Sequence, residues 1–207
     1  MPRIKIKRTA PSVDMTAMSD VTFLLLNFFV MTAVFKAPEP IPVDLPNSVT
    51  TEKMPDINYA MITIAEDGKC LLSFAERDVK EQALDIMAEK YNLTLNSEEK
   101  EKFMAMESLG VPMRQLKQFL ALSPDQQMDK ANHFGIAVDT TVNISNELFH
   151  WISTVRKVNY KLHEEQLKIL IKADGNTKFP SVDKVIETLR NQKANKFSFV
   201  TSLKSES

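Results

Sequence analysis

The stretch MTAMSDVTFLLLNFFVMTAVF, residues 15–35, decides the architecture of this chain because it is long and apolar enough to cross a membrane as a helix. The hydrocarbon core of a bilayer is about 30 Å thick, and roughly 20 helical residues rising about 1.5 Å each span it. Asp20 has the only ionisable side chain in this stretch, and no other part of the sequence is comparably apolar. We therefore predict a single helix crossing the lipid bilayer over residues 15–35.

The distribution of charge indicates how this helix is oriented. Four basic residues precede it: Arg3, Lys5, Lys7 and Arg8. Only Lys36 follows it closely, before the acidic Glu39 and Asp44. Because positive charge is retained on the cytoplasmic side of a membrane, we predict a cytoplasmic tail over residues 1–14 and the bulk of the chain on the opposite side.

A cleaved signal peptide is the alternative interpretation of a basic start followed by an apolar stretch. The end of the stretch, TAVFK at residues 32–36, has no small-x-small cleavage site, and a charged residue stands near its beginning. Both features favour an uncleaved anchor. A cleaved signal would leave a secreted α+β protein without Asp20.

Asp20 is the most informative residue of the helix because an ionised carboxylate inside a bilayer costs about 2.5–3.5 kcal/mol on insertion scales. Such residues face a protein partner or water, and they mark ion pathways. At about 100° per residue, Thr16 and Asn27 share one helical face with Asp20. The three side chains form a polar stripe about three turns long. We predict that Asp20 carries a proton and that Thr16 and Asn27 support it.

A second interpretation of Asp20 is that it lies near the membrane interface and only reaches toward water. Proton carriage requires an oligomeric channel, where a low dielectric favours the neutral form of a carboxyl group. Moving one charge through 100 mV releases about 2.3 kcal/mol, which can drive a conformational step. A lone helix encloses no channel, so this hypothesis requires partner subunits.

The composition argues against several other functions. Lys and Arg number 26 against 27 Asp and Glu, and a net charge of −1 provides no basic field for nucleic acid. Cys70 is the single cysteine, so neither an internal disulfide nor a four-thiolate metal site can form. Four dispersed glycines form no phosphate-binding loop. The histidines at 133, 150 and 163 lack ligand spacing and are interpreted as surface or capping residues. We predict no enzyme activity, no cofactor and no metal site.

Residues 36–56 contain five prolines, which fix φ and remove backbone donors. We predict an extended, semi-rigid linker there, acting as a spacer ahead of a folded domain at residues 57–207. Glu66-Asp67-Gly68 separates two β-rich runs and predicts a hairpin. Cys70 then alternates with its neighbours as a small half-buried strand residue.

The rest of the domain is predicted to be α+β, with helices packed on one face of a β-sheet. Residues 76–144 are expected to form a helical insertion, with Ile86 among the apolar positions of its first helix and a capping box beginning at Ser123. A helix at residues 146–158, a strand at 167–173, a helix after Pro180 and a last strand through residues 197–201 complete the predicted fold.

Three segments resemble a known family. VDMTAMSDV at residues 13–21 resembles the start of the membrane helix in the ExbD/TolR family, although Ala17 stands where the family often has proline. LKILIKAD at residues 167–174 is similar to the family's strand ending in Ala-Asp, and FPSVDKV at 179–185 to the helix that follows. VDLP at residues 43–46 resembles the family's extended connector. The resemblance covers about residues 11–75 and 145–204.

The resemblance implies a subunit of a proton-motive-force machine in the bacterial inner membrane. It places the proton-carrying aspartate at Asp20, within a ring of ExbB/TolQ-like multi-span subunits. The implied partners are a second copy of the chain, through a homodimer of periplasmic domains, and a TonB-like protein that energises outer-membrane transport. The ExbD branch is favoured over the TolR branch of the Tol-Pal envelope-integrity system. A membrane-anchored periplasmic binding module without proton transfer is the hypothesis from a different class.

Overall fold

The computed structural model describes residues 15–33, 39–49, 53–139 and 145–203. The predicted cytoplasmic tail, residues 34–35 of the predicted membrane helix and the first residues of the linker lie outside these ranges. The chain divides into two compact units, Met1–Ala37 and Pro38–Ser207.

The first unit contains helix α1, Met15–Thr32, which has 18 residues and a length of about 27 Å. Two of its hydroxyl side chains, those of Thr22 and Thr32, donate to the carbonyls of Met18 and Phe28, over 2.8 and 2.7 Å. These bonds satisfy the hydroxyls within the helix, so neither needs water. The length and composition of α1 suit a membrane span.

The second unit is built on a mixed five-stranded sheet in the order β4-β3-β2-β5-β6. Strands β2 and β5, at its centre, run parallel, and β3 pairs antiparallel with β2 and with β4. A separate parallel pair joins β1 to β7. The strands are β1 Asn47–Ser48, β2 Tyr59–Ile64, β3 Cys70–Phe74, β4 Ser108–Leu109, β5 Lys168–Ala173, β6 Phe197–Phe199 and β7 Ser202–Leu203.

Helices occupy most of the chain between these strands. They are α2 Arg77–Lys90, α3 Ser97–Ala105, α4 Met113–Leu120, α5 Pro124–Gln127, α6 Glu147–His163 and α7 Phe179–Asn191, with one 3₁₀ turn at Lys130–Asn132. Helix α6 begins after Asn146, whose Oδ1 accepts a hydrogen bond from the N–H of Phe149 over 3.0 Å. Ser123 and Gln126 form the predicted capping box at the start of α5.

The hairpin of β2 and β3 confirms the turn predicted from Asp67-Gly68. Gly68 has a φ of +81°, a left-handed conformation that side chains with a Cβ rarely adopt. The N–H of Gly68 donates to the carbonyl of Ala65 over 2.9 Å, and Oδ1 of Asp67 accepts from the N–H of Lys69 over 3.2 Å. Local turn chemistry therefore sets the register of the two strands.

The main core lies between one face of the sheet and the helices. Ala60, Ile62 and Ile64 of β2 are buried at every second position, and Ile169 and Ile171 of β5 lie in register beside the first two. The same cluster contains buried residues from α2, α6 and α7, among them Val79, Leu84, Trp151, Ile152, Val185 and Leu189. The α+β fold with helices packed on the sheet is confirmed.

The predicted helical insertion is mostly helical, but it also belongs to the sheet and the core. Its strand β4 extends the sheet beyond β3, which the sequence analysis did not predict. Phe103 and Leu116 are fully buried in the main cluster. The expected apolar position Ile86 is 46 % exposed, because the buried face of α2 is centred about 100° away from it.

Candidate functional site

Asp20 lies in the second turn of α1, and Thr16 and Asn27 occupy the same helix. Because Asp20 follows Thr16 by four positions and Asn27 follows Asp20 by seven, all three project on one side of an α-helix. No residue of α1 is buried within the part of the chain that the structure describes. The polar stripe is therefore exposed at the surface of α1.

This stripe combines groups that suit proton exchange. A carboxylate can accept a proton, a hydroxyl can donate and accept, and an amide can do both at different atoms. The remaining side chains of α1 are largely apolar, including Phe23, Leu25 and Phe29, and they would exclude water from the helix surface. Aligned polar groups in an apolar helix are characteristic of functional membrane segments.

In the second unit, the predicted linker docks on the folded domain. The N–H of Asp44 donates to Oδ2 of Asp174 over 3.0 Å, and the N–H of Gly175 donates to the carbonyl of Asp44 over 2.9 Å. This reciprocal pair joins the connector motif to the Ala-Asp motif at the end of β5. We call these contacts of Asp44 with Asp174 and Gly175 the connector clamp.

Two further contacts flank the connector clamp. Ile41 is 2 % exposed and forms a small cluster with Ala65 and Leu71, on the face of the sheet opposite the main core. Lys172 of β5 pairs with the carboxylate of Glu39. The linker, predicted to be an extended and semi-rigid spacer, thus contacts the folded domain within residues 39–47.

The clamped segment continues directly into the β1–β7 pair. Ser202 donates its N–H to the carbonyl of Pro46 over 3.0 Å, and its hydroxyl donates to the carbonyl of Leu45 over 3.2 Å. Asn47 Oδ1 also lies 2.7 Å from that hydroxyl. Strand β7 is therefore hydrogen-bonded to the same connector that Asp174 binds.

A signal for this docking was present in the sequence. Ile41, Val43 and Leu45 alternate with three residues that the structure leaves exposed, Pro42, Asp44 and Pro46. Alternation with a period of two is the pattern of a segment with one buried side. The prolines at positions 42 and 46 obscured it, because proline is read first as a breaker.

Four buried titratable groups in the domain are shifted by burial. Burial lowers the pKa of Lys80 to about 8, with Arg77 acting in the same direction. Burial raises the pKa of the Cys70 thiol to about 12, which makes the thiolate rare and agrees with a structural role. Burial also lowers the pKa of His133. It raises the pKa of Glu147, although the hydrogen bond that this carboxylate accepts from the N–H of Met113 acts in the opposite direction.

Two of these groups serve as structural supports. Lys80 Nζ donates to the carbonyls of Met104 and Met106 at the end of α3 and lies 4.9 Å from the ring centre of Phe103. His133 is 1 % exposed, which corrects the expectation of a surface histidine, since its ring packs on Phe119 and its Nε2 contacts the carbonyl of Gln127 over 2.7 Å.

Metal-ligating atoms converge at one place among the described residues. Glu76, Asp78 and His163 bring such atoms within 4.8 Å of one another. Their separation in sequence explains why no ligand spacing was visible.

Comparison with known proteins adds the family. The sequence model described as biopolymer transport protein ExbD/TolR matches residues 6–204. A search of curated proteins found no match, and a search of solved structures found none. The matched range includes α1 with Asp20, both halves of the connector clamp and the helical insertion. Because it spans nearly the whole chain, this chain belongs to the ExbD/TolR family, whose members are inner-membrane accessory subunits of biopolymer transport that work with membrane motor partners.

Proposed function

We propose that this chain is an ExbD-type subunit of a motor that uses the proton motive force to energise a TonB-like protein and outer-membrane transport. Asp20 carries the proton, and Thr16 and Asn27 support it. The observation that carries the proposal is the position of Asp20, the only ionisable residue of an apolar 18-residue helix in a chain of this family.

The proposed topology follows from charge. The basic tail at residues 1–14 remains in the cytoplasm, α1 crosses the inner membrane and the domain beyond it is periplasmic. The domain division proposed from the sequence is a linker at residues 36–56 and an α+β domain at 57–207. A reporter fused after residue 207 would report its compartment directly.

The proposed partners follow from what α1 lacks. One helix cannot enclose a proton path, so ExbB/TolQ-like multi-span subunits surround it, and a second copy of the chain supplies a second α1. Protonation of Asp20 removes its charge, and passage of one charge through 100 mV is worth about 2.3 kcal/mol. That energy is sufficient to change how α1 packs against its neighbours.

The connector clamp supports a mechanical output. The chain runs from α1 through residues 34–38 to a segment bound by Asp174 and Ser202. A displacement of α1 would therefore reach β5 and β7 through the backbone. Hydrogen bonds and one buried isoleucine can transmit such a displacement or release under it.

The test is an Asp20→Asn substitution in the chain's own host, with energy-dependent outer-membrane uptake as the readout. Asparagine keeps the size and a hydrogen-bonding oxygen but cannot exchange a proton near neutral pH. We expect loss of uptake with normal membrane levels and normal co-purification of the multi-span partner. Asp14→Asn, which removes a carboxylate just ahead of the helix, is the matched control and should retain uptake.

Other results of the uptake assay would favour one of the two alternative functions. Retained uptake in Asp20→Asn would overturn proton carriage and favour a membrane-anchored binding module. Normal uptake in a strain lacking the chain, accompanied by leakage of periplasmic contents, would assign the chain to the TolR branch.

A further inference from the structure

The two ring nitrogens of the buried His133 have different surroundings. The residue is 1 % exposed, and its Nε2 lies 2.7 Å from the carbonyl oxygen of Gln127. Because a carbonyl oxygen can only accept a hydrogen bond, Nε2 carries the proton and Nδ1 of the neutral ring carries none. Nδ1 is also buried, and it has no hydrogen-bond partner among the described residues. The fold therefore holds the ring in one neutral tautomer.

The surroundings of Nδ1 are unsuited to a second ring proton. This nitrogen faces the backbone of Gly110 so closely that a Cβ on that residue would overlap it. The ring also packs edge-on against Phe119, with 5.1 Å between the ring centres. A proton on Nδ1 would add a positive charge and a donor for which the described residues offer no acceptor. Both are costly at a buried position.

Charged groups near the ring act in opposite directions. Lys69, in the turn between β2 and β3, disfavours a positive charge on His133, whereas Asp129 favours one. Lys69 is itself paired with Asp67, over 3.1 Å. Burial is the largest influence, and it lowers the pKa of His133 below its ordinary value. The other charged residues of the elements packed against the ring are exposed: Arg114, Lys117, Asp125 and Lys130.

A short segment after the 3₁₀ turn completes one edge of the sheet. Strand β4 pairs with β3 over only two residues. Beyond it, the N–H of Ile136 donates to the carbonyl of Cys70 and the N–H of Gly135 donates to the carbonyl of Gly110, both over 2.8 Å. We call residues 133–136 the edge segment. It takes the place of β4 beside the first residue of β3.

Few contacts hold the edge segment in place. Its buried side chains are those of His133 and Ile136, and the latter belongs to the main core. Phe134 is 62 % exposed, and Gly135 has no side chain. If the ring of His133 left its position, one isoleucine and two backbone hydrogen bonds would remain. A segment with so few buried contacts can open without unfolding of the domain.

We propose that His133 is an acid-sensitive latch, so that protonation of its Nδ1 releases the edge segment from Gly110 and Cys70 while the rest of the domain stays folded. The proton comes from solvent during transient opening, because Nδ1 is buried in the closed form. The open form binds this proton more strongly than the closed form. Opening therefore becomes more favourable as the pH falls below about 6.5, the ordinary pKa of histidine.

The physiological consequence rests on the proposed function, whereas the latch itself does not. In the proposed periplasmic location, the domain lies on the side of the membrane from which protons enter. Acidification of that side would open the edge segment and leave the carbonyls of Cys70 and Gly110 unpaired. An unpaired stretch of sheet edge can bind another extended segment.

The test is hydrogen exchange of the full chain in detergent, measured by mass spectrometry at about pH 7.5 and about pH 5 and corrected for the intrinsic rate at each pH. We expect the protection of the Gly135 and Ile136 amides to fall roughly tenfold at the lower pH. Protection within α6 should change less than about twofold.

Two histidine variants assign the response to one residue. His133→Gln keeps a donor for the carbonyl of Gln127 but does not titrate, so its edge segment should be equally protected at the two pH values. His163→Gln removes a histidine at the other end of the domain's histidine positions in sequence, outside the edge segment. This matched control should keep the wild-type response.

Equal protection of the wild-type edge segment at both pH values would overturn the proposal, as would a wild-type response in His133→Gln. A parallel loss of protection in α6 would show global unfolding and would overturn the latch as well. No membrane potential enters these measurements, so their result is independent of Asp20.

A second variant decides the outcome if His133→Gln leaves the edge segment unprotected at both pH values. Lys69→Met removes a charge that opposes protonation of His133. The midpoint of the loss of protection should therefore move to higher pH. An unchanged or lower midpoint would overturn the proposal.

Discussion

The backbone N–H of Asp44 donates a hydrogen bond to Oδ2 of Asp174 over 3.0 Å, joining two residues 130 positions apart in the chain. Asp44 belongs to the connector after α1, and Asp174 directly follows strand β5, which pairs with the central strand β2. Two short motifs that each resemble the family therefore meet as the two halves of one contact. This bond attaches the connector to the end of strand β5.

Removing the Asp174 carboxylate should release the connector. Asp174→Ala loses the bonds from the N–H groups of both Asp44 and Asn176, and a hydrogen bond to a charged group contributes about 1.5–3 kcal/mol. Amide hydrogens of residues 41–48 should then exchange roughly tenfold faster, measured by mass spectrometry. Asp85→Ala, on the distant surface of α2, is the control, and unchanged exchange in Asp174→Ala would contradict the clamp.

Ile41 should contribute to stability although it lies in the Pro-rich connector. Ile41→Ala removes a side chain that is 2 % exposed, and such truncations cost about 2–5 kcal/mol. Because its cluster with Ala65 and Leu71 is small, we expect about 2 kcal/mol in the free energy of unfolding, measured with denaturant. Val49→Ala, at a residue 84 % exposed, should cost less than about 0.5 kcal/mol. Equal values for the two would show that the connector is not bound.

The space around Gly110 and Gly175 gives a matched pair of substitutions. A Cβ on Gly110 would lie 2.4 Å from Nδ1 of His133, and that ring is enclosed by Phe119 and bonded at Nε2 to the carbonyl of Gln127. A Cβ on Gly175 would meet only the carbonyl of Asp44, at 3.7 Å. Gly110→Ala should destabilise the domain by about 1–3 kcal/mol, and Gly175→Ala by under about 0.5 kcal/mol. Thermal melting distinguishes them, and the reverse order would refute the packing of His133.

Lys80 should make stability depend on alkaline pH. Burial lowers its pKa in the folded state to about 8, below the value of 10.5 in the unfolded chain. Between these values the unfolded chain binds a proton that the folded chain has released, so the free energy of unfolding rises with pH and is lower below pH 8. The full effect is at most about 3 kcal/mol. Lys80→Met should remove this rise in urea titrations at pH 7–10, whereas Lys102→Met, at the surface of α3, should leave it unchanged.

Patterns among neighbouring residues were sufficient to predict much of the fold from the sequence. Asp67-Gly68 specifies its turn within a few residues, and Ser123 and Asn146 begin helices through bonds to nearby N–H groups. The apolar length of α1 needs no tertiary contact to be recognised. Each of these features is encoded by neighbours in the sequence, and each was predicted.

Features that depend on distant partners were not predicted. Strand β4 has only two residues, and its pairing with Leu72 and Ser73 defines it. His133 has no local pattern that shows its burial under Phe119. Asp78 and His163 lie 85 positions apart, so only the packing of α2 on α6 brings them together. The alternation of apolar and exposed residues indicated that Ile41 is docked, but the neighbouring prolines obscured this pattern.

Proton flux through the assembled complex tests the central claim most directly. The chain would be purified with its multi-span partner, placed in vesicles containing a pH-sensitive dye and exposed to a potassium-diffusion potential. If Asp20 carries the proton, the wild-type complex acidifies the vesicles and the Asp20→Asn complex, assembled to the same extent, gives the trace of empty vesicles. Equal acidification by the two complexes would contradict the claim.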